Sequence, residues 1–282
     1  MASACWSGRI SLLGSGAVCM GHFRMVIFRP FYYLPLFTTF PPFARMATPP
    51  HPALPNDESA RLRALRSFEV LAALAEPVFE EFVALAARLF QVPISLLSVV
   101  EETEVHYPTN VGMPGHRQQP RVEALCSTAI SLGHAVIYHD VMLEHYPAIP
   151  AEALQAAQRN HVRFYAGALL LLPDQRPLGT LCLINREPRP FTPDEQRILE
   201  LLAGLVSSTL AVRHLYRTRP DGDRGHWAHL SGELQEEIGS LNALVRYLNA
   251  RNGSAVPVPV AFLAQVEGRM HDLQLMLDTH RR

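Results

Sequence analysis

Two apolar runs dominate the centre of the chain. Residues 161–172, HVRFYAGALLLL, and residues 178–185, LGTLCLIN, are separated by the turn sequence PDQRP. Both runs have extended character and the prolines bracket a tight turn, so the pattern predicts a buried β-hairpin. Each run contains one glycine, Gly167 and Gly179, at a position where glycine ordinarily weakens a strand. We therefore expect the backbone and its neighbours to approach closely at both glycines.

Upstream segments alternate between helix and strand patterns. Residues 57–66 have helical spacing, Pro77 opens an amphipathic helix over residues 77–90, and helices are predicted at 121–132 and 151–158. Extended segments are predicted at residues 94–100, 103–110 and 135–140. Thr192 and Glu195, with a proline between them, form a capping box at the start of a long helix. This order of elements predicts an α+β domain with a central antiparallel sheet and flanking helices.

Three apolar seams with alternating spacings of three and four follow the hairpin. The first would let the helix after Pro193 pair with a second copy of the chain, so a homodimer is predicted. The other two predict an all-α two-helix hairpin, which is expected either to dimerise or to fold back on its own domain. The seams consist of Ile198, Leu202, Leu205, Thr209, Val212 and Tyr216; of Trp227, Leu230, Leu234, Ile238, Leu241, Val245 and Leu248; and of Leu263, Val266, Met270, Leu273, Leu277 and His280.

The pattern divides the chain into four parts. We predict a leader at residues 1–55, an α+β domain at 56–216, a linker at 217–226 and a dimerising helical hairpin at 227–282. The leader contains no acidic residue. Its apolar stretches are interrupted by glycine, Arg29 and prolines, so they do not have the pattern of a membrane-spanning helix. The sequence that begins at Met46 is typical of the start of a soluble protein. Residues 1–45 are therefore interpreted either as a disordered extension or as the result of a start codon assigned too far upstream.

Composition narrows the functional classes. The formal net charge is −1 and no cluster of basic residues occurs. The chain therefore lacks the positive charge expected of a nucleic-acid-binding protein. All 25 basic residues are arginine, so no lysine is present to serve a phosphate loop, a Schiff base or general-base catalysis. Cys126 and Cys182 are the two cysteines beyond the leader and have no zinc-type spacing. We expect a cytoplasmic protein without a membrane or nucleic-acid partner.

Several motifs in order resemble a known family. The stretches NDESARLRALRSFEVL, ALCSTAI, FYAGALL, GTLCLIN and FTPDE resemble the GAF domain of bacterial signalling proteins, in which corresponding stretches read approximately FCAHAI, FYAGAPL and GTLCVID. The resemblance covers about residues 56–216. It implies a small-molecule or sensory pocket between one face of the sheet and the elements covering it. The C-terminal hairpin faintly resembles the dimerisation region of histidine kinases, but Gly232 stands at the phosphoacceptor position.

The resemblance implies candidate ligand-binding residues, but it names no ligand. The same side chains could instead simply fill the core. Cys126 is followed by Ser127 rather than histidine, so no bilin is expected, and neither the cyclic-nucleotide motif nor the cysteines of methionine sulfoxide reductases are present. A thiol sensor made of Cys126 and Cys182 is a further alternative. The candidate residues are His106, Tyr107, Cys126, Asp140, Phe164, Tyr165 and Cys182.

Metal binding and catalysis have no positive signal in the sequence. His134, His139 and His145 do not match a standard metal-ligand pattern, so we predict no metal. The chain shows no nucleophile elbow, phosphate loop or paired acids, so we predict that it is not an enzyme.

The sequence therefore favours a sensor or adaptor that passes a small-molecule or redox input to a dimerising helical output and a signalling partner. One alternative is a histidine phosphotransfer protein that uses His229 or His271. The other alternative is a structural dimerisation module with an empty pocket.

Overall fold

The computed structural model describes residues 57–144, 148–219, 224–253 and 255–281. The predicted leader, part of the predicted linker and His145 lie outside these ranges.

Six strands form one antiparallel sheet in the order β3-β2-β1-β6-β5-β4. The predicted hairpin is confirmed, because β5 and β6 pair with Tyr165 opposite Ile184 and Gly167 opposite Cys182. The fold class predicted from the sequence, α+β with a central antiparallel sheet, is also confirmed. The strands are β1 Ile94–Val100, β2 Glu104–Val111, β3 Gln118–Pro120, β4 Val136–Tyr138, β5 Phe164–Leu171 and β6 Pro177–Asn185.

The close approaches expected at the two glycines are present. A methyl group on Gly179 would overlap the carbonyl oxygen of Ser98 on the neighbouring strand β1. At Gly167, the space that a side chain would occupy is filled by the ring of Tyr165, whose Cε1 lies 3.1 Å from the position of a Cβ. Glycine is therefore required at position 179 because neighbouring backbone atoms leave no room for a side chain. At position 167 it is required because the Tyr165 ring fills that space.

Eight helices occur in the described ranges, and their ends follow local sequence signals. Asp57 caps α1 by accepting a hydrogen bond from the amide of Ala60, and Pro77 occupies the first turn of α3. The predicted capping box of Thr192 and Glu195 begins α6. The helices are α1 Glu58–Ser67, α2 Val70–Leu74, α3 Pro77–Leu89, α4 Cys126–Leu132, α5 Ala151–Arg159, α6 Pro193–Thr218, α7 Arg224–Asn252 and α8 Val260–Arg281.

The sheet separates two apolar cores. One core lies between the sheet and α3 and α6, and it continues outward to α7 and α8. The other lies between the opposite face of the sheet and α4, α5 and the segments beside them. Because side chains alternate along a strand, Leu97 and Val99 face the first core while Leu96 and Val100 face the second.

The C-terminal helices pack on their own chain, which corrects the argument for a homodimer. Helix α7 packs against α3, and α8 packs against α6. Every residue of the three predicted seams except His280 is buried within one chain, so the periodicity was interpreted correctly. Amphipathic spacing identifies the apolar face of a helix but not the partner that covers it. The seams therefore give the predicted dimer no support.

Polar contacts tie α7 to the domain. Glu76, which precedes α3, accepts hydrogen bonds from Arg213 Nε of α6 at 2.7 Å and from Trp227 Nε1 of α7 at 2.9 Å. The Arg213 side chain is 3% exposed. A carboxylate at this position satisfies both a buried guanidinium and an indole N–H, so removing either contact would leave a buried polar group without its partner.

Helix α6 is long and apolar enough to cross a membrane, judged by length and composition alone. It lies between the sheet and α8, and 56% of its most apolar window is buried within the protein. A core helix of a water-soluble protein has the same properties, so this feature is weak support for a membrane span.

Candidate functional site

A cavity of about 130 Å³ lies within the second core, between the sheet and helices α4 and α5. Strands β1, β2, β5 and β6 supply one wall, and α5 supplies the other through Ala153, Ala156 and Ala157. These three small side chains lie on one face of α5 and leave the space open. The remaining lining residues are Ile94, Leu96, Tyr107, Met113, Gln119, Glu123, Leu125, Cys126, Asn160, Val162, Tyr165, Cys182, Ile184 and Arg186.

A cluster of two thiols and two phenols lies at the inner end of the cavity. We call Tyr107, Cys126, Tyr165 and Cys182 the thiol cluster. The Tyr165 hydroxyl lies 3.5 Å from Cys182 Sγ, and the Thr180 hydroxyl lies 2.9 Å from the same sulfur. Cys126 lines the same cavity and interacts electrostatically with Cys182. Cys182, which is 1% exposed, therefore has two hydroxyl groups within hydrogen-bond distance of its sulfur.

These contacts separate the two thiols in acidity. Burial raises the pKa of Cys182, but its interactions with Cys126, Thr180 and Tyr165 outweigh burial and lower this pKa below the ordinary value. The interaction with Cys182, followed by burial, raises the pKa of Cys126 well above the ordinary value.

Polar side chains lie at the outer end of the cavity. Asn160 and Arg186 are exposed, and Glu123 is half-buried and paired with Arg159 at 2.8 Å. The cavity therefore combines an apolar wall, a thiol cluster at its inner end and charged groups at its rim. Its volume is well below the roughly 300–1,000 Å³ of pockets for drug-sized ligands, so a molecule of a few non-hydrogen atoms fits without rearrangement.

Four of the seven candidate residues come together in this cavity: Tyr107, Cys126, Tyr165 and Cys182. Their assignment as ligand-binding residues stays a prediction.

The other three candidates lie elsewhere. Phe164 precedes Tyr165 on β5 and faces the opposite core, and His106 precedes Tyr107 on β2 and lies 3.5 Å from Glu101 near the surface. Asp140 follows β4, where it holds Arg163 at 2.5 Å and accepts a hydrogen bond from the amide of Met142. The Arg163 guanidinium lowers the pKa of the Asp140 carboxyl.

Several residues that line the cavity were not among the candidates named from the sequence. Three of them could have been predicted, because small residues spaced three and four apart lie on one face of a helix. These three are Ala153, Ala156 and Ala157. Met113 and Arg186 reach the cavity from loops through long-range packing, and no local pattern marks them.

The described part of the chain contains no group of three or more histidine, cysteine or acidic residues that could hold a metal ion. His139 accepts a hydrogen bond from the amide of Phe191 through Nδ1, at 3.1 Å. His229 and His271, the alternative phosphoacceptors, are exposed on α7 and α8. Histidine phosphotransfer stays a prediction.

An antiparallel sheet with helices on both faces and a small internal cavity defines a sensory-domain architecture. Comparison with known proteins gives the family: residues 74–210 match the GAF domain, and this chain therefore contains a GAF domain. The resemblance found in the sequence is confirmed, and with it the signalling-sensor class.

One curated relative is a cyclic di-GMP phosphodiesterase of Pseudomonas aeruginosa, which is 34% identical over 199 residues. The match covers 68% of this chain and 31% of that protein, so the chain spans about a third of the relative's length. The prediction that the chain is not an enzyme is wrong on this finding, because the relative is named as an enzyme.

Two solved structures are also similar. The PixJ GAF domain of Thermosynechococcus elongatus in its blue-light-absorbing form has 18% identity and a TM-score of 0.41, covering 58% of this chain and 94% of that one. The free methionine-R-sulfoxide reductase of Neisseria meningitidis has 17% identity and a TM-score of 0.40, covering 58% and 96%.

Proposed function

We propose that the chain acts as a sensory GAF module in cyclic di-GMP signalling, and that the state of the cavity controls a phosphodiesterase activity. The observation that carries this proposal is the 34% identity to a cyclic di-GMP phosphodiesterase over 68% of this chain. The cavity supplies the input site, and a small molecule is its expected ligand. A cytoplasmic location and a signalling-protein partner belong to the same proposal.

The arrangement of the sheet supports a route from cavity to helices. Tyr165 faces the cavity, and its neighbour Phe164 packs on the other face against Phe191 with a ring-centroid distance of 5.6 Å. Phe191 directly precedes Thr192, the cap of α6. A ligand that binds two arrangements of β5 with different affinity would therefore shift the position of α6.

A paired substitution on α5 tests whether the cavity is the input. Ala157→Leu fills part of the cavity, because Ala157 is 4% exposed and lines it. Gln155→Leu introduces the same side chain on the exposed face of the same helix and is the control. Each variant is measured in the whole chain and in a chimera in which the chain replaces the matching region of the Pseudomonas aeruginosa phosphodiesterase.

The readout is the rate of cyclic di-GMP hydrolysis, followed by chromatography of the products. We expect Ala157→Leu to change the rate of the chimera severalfold, while Gln155→Leu leaves it unchanged. Equal rates for wild type and both variants would contradict control through the cavity. A chimera that hydrolyses cyclic di-GMP at the same rate with the chain deleted would contradict the regulatory role.

A further inference from the structure

Two cysteines from distant parts of the sequence line the same cavity. Cys126 opens α4, and Cys182 lies in the middle of β6 opposite Gly167. The two side chains are 3% and 1% exposed, and both line the cavity. A buried thiol is ordinarily inert because neither solvent nor reagent reaches it. Here the cavity gives a small reagent access to both sulfurs.

The surroundings of Cys182 favour its ionised form. Thr180 Oγ1 lies 2.9 Å from Cys182 Sγ and the Tyr165 hydroxyl lies 3.5 Å away, so two hydroxyl groups lie within hydrogen-bond distance of this sulfur. The hydroxyl of Thr180 is itself held by Ser98 Oγ at 2.8 Å. Hydrogen bonds to a thiolate stabilise the nucleophilic species, and Cys126 is the adjacent thiol that can react next.

We propose that Cys126 and Cys182 form a redox pair that a small hydroperoxide converts to a disulfide inside the cavity. A hydroperoxide fits this site because it is close in size to water and because the space amounts to about 130 Å³. That the disulfide carries a signal rests on the function proposed above, whereas the oxidation itself does not.

The chemistry balances in two steps. The Cys182 thiolate attacks one peroxide oxygen, the O–O bond breaks, and the departing oxygen takes a proton to leave as water or an alcohol. Cys182 is then a sulfenic acid. The Cys126 sulfur loses its proton and attacks Cys182, the S–S bond forms, the S–O bond breaks, and the second oxygen leaves as water. Two thiols are oxidised and one peroxide is reduced.

The disulfide would change the cavity directly. A covalent bond between α4 and β6 fixes the two elements that form the inner end of the cavity, and it removes both thiol groups from the cavity lining. Oxidation therefore alters the same cavity in which the proposed ligand would bind.

Peptide mapping of the whole chain tests this proposal. The chain contains no lysine, so trypsin places Cys126 in residues 122–159 and Cys182 in residues 164–186, because the Arg176–Pro177 bond resists cleavage. Cys5 and Cys19 fall in separate peptides, residues 1–9 and 10–24, and report unselective oxidation. The reduced chain is treated with hydrogen peroxide, alkylated under denaturing conditions and mapped without reduction.

We expect a linked pair of the two cavity peptides, with the loss of two hydrogen atoms, and its disappearance after dithiothreitol treatment. In the variant Cys126→Ser, Cys182 should remain as a sulfenic acid that dimedone labels. In Cys182→Ser, Cys126 should stay unlabelled.

Full alkylation of both cavity cysteines in peroxide-treated wild type would overturn the proposal, and this result does not depend on whether a variant folds. A link from either cysteine to Cys5 or Cys19 in place of the cavity pair would also overturn it. If the cavity pair forms while hydrolysis by the phosphodiesterase chimera is unchanged, the redox pair stands and the proposed coupling to catalysis fails.

Discussion

Gly179→Ala is predicted to destabilise the domain severely, because the new methyl group would meet backbone rather than side chains. A Cβ at position 179 lies 2.7 Å from the carbonyl carbon of Ser98 and 3.2 Å from Cα of Val99, and it overlaps the Ser98 oxygen. Backbone atoms in the middle of a sheet cannot rotate away, so β1 and β6 must separate locally. Overpacking costs about 1–3 kcal/mol, and each ladder hydrogen bond lost adds about 1 kcal/mol. The expected loss in the free energy of unfolding is about 3 kcal/mol or more.

Urea unfolding followed by far-ultraviolet circular dichroism measures this loss. With a slope of about 3 kcal/mol per molar urea, the midpoint should fall by about 1 M or more. Gly204→Ala is the matched control, since Gly204 lies within α6 and a Cβ there has no neighbour within 4 Å. Alanine in a helix interior should stabilise by about 0.5–1 kcal/mol. A midpoint for Gly179→Ala at or above the wild-type value would refute the close approach of β1 and β6.

Three further outcomes follow from buried groups. Glu195→Gln should cost about 3–5 kcal/mol in urea unfolding, because it leaves the buried Arg189, 2.6 Å away, without its charge partner; a cost below about 1 kcal/mol would contradict this. The pKa of Asp140 is lowered by Arg163, so its contribution to stability is present above the unfolded pKa of about 3.9 and is lost as pH falls through the folded value. The stability difference between wild type and Asp140→Asn should therefore shrink on acidification, and a constant difference would refute the assignment. Ile238→Ala should cost about 2–5 kcal/mol independently of protein concentration, whereas a concentration-dependent loss would indicate that α7 packs on a second chain.

The features that were predicted correctly are determined by short stretches of sequence. The capping box at Thr192, the proline at the start of α3 and the turn between β5 and β6 each depend on residues within a few positions of one another. The packing partners of α7 and α8 lie in segments that are distant in the sequence. Amphipathic spacing carries no information on that choice, and α3 and α6 of the same chain cover these helices.

The part of the candidate site that lies on predicted strands and helices could also be predicted from the sequence. The motifs located β5, β6 and α4, the extended pattern of residues 103–110 located β2, and four residues of the cavity followed from these elements. Strand alternation could have refined the choice, since adjacent residues such as Phe164 and Tyr165 cannot both face one side of a sheet. The contribution of Arg186 required knowledge of how a loop returns to the cavity, and sequence spacing does not encode this.

The connection between β6 and α6 links β5 to the segment that joins α7 and α8. Arg189 packs its guanidinium over the rings of Phe164 and Phe191 and bonds both the Phe90 carbonyl oxygen and Glu195. Glu195 also accepts a hydrogen bond from the amide of Val258, at 3.1 Å, in the segment that joins α7 to α8. A shift of β5 at the cavity therefore moves the ring on which Arg189 rests. Leaving the buried Val258 amide unpaired would cost about 1–3 kcal/mol, so the α7–α8 segment must follow Glu195 or lose that contact.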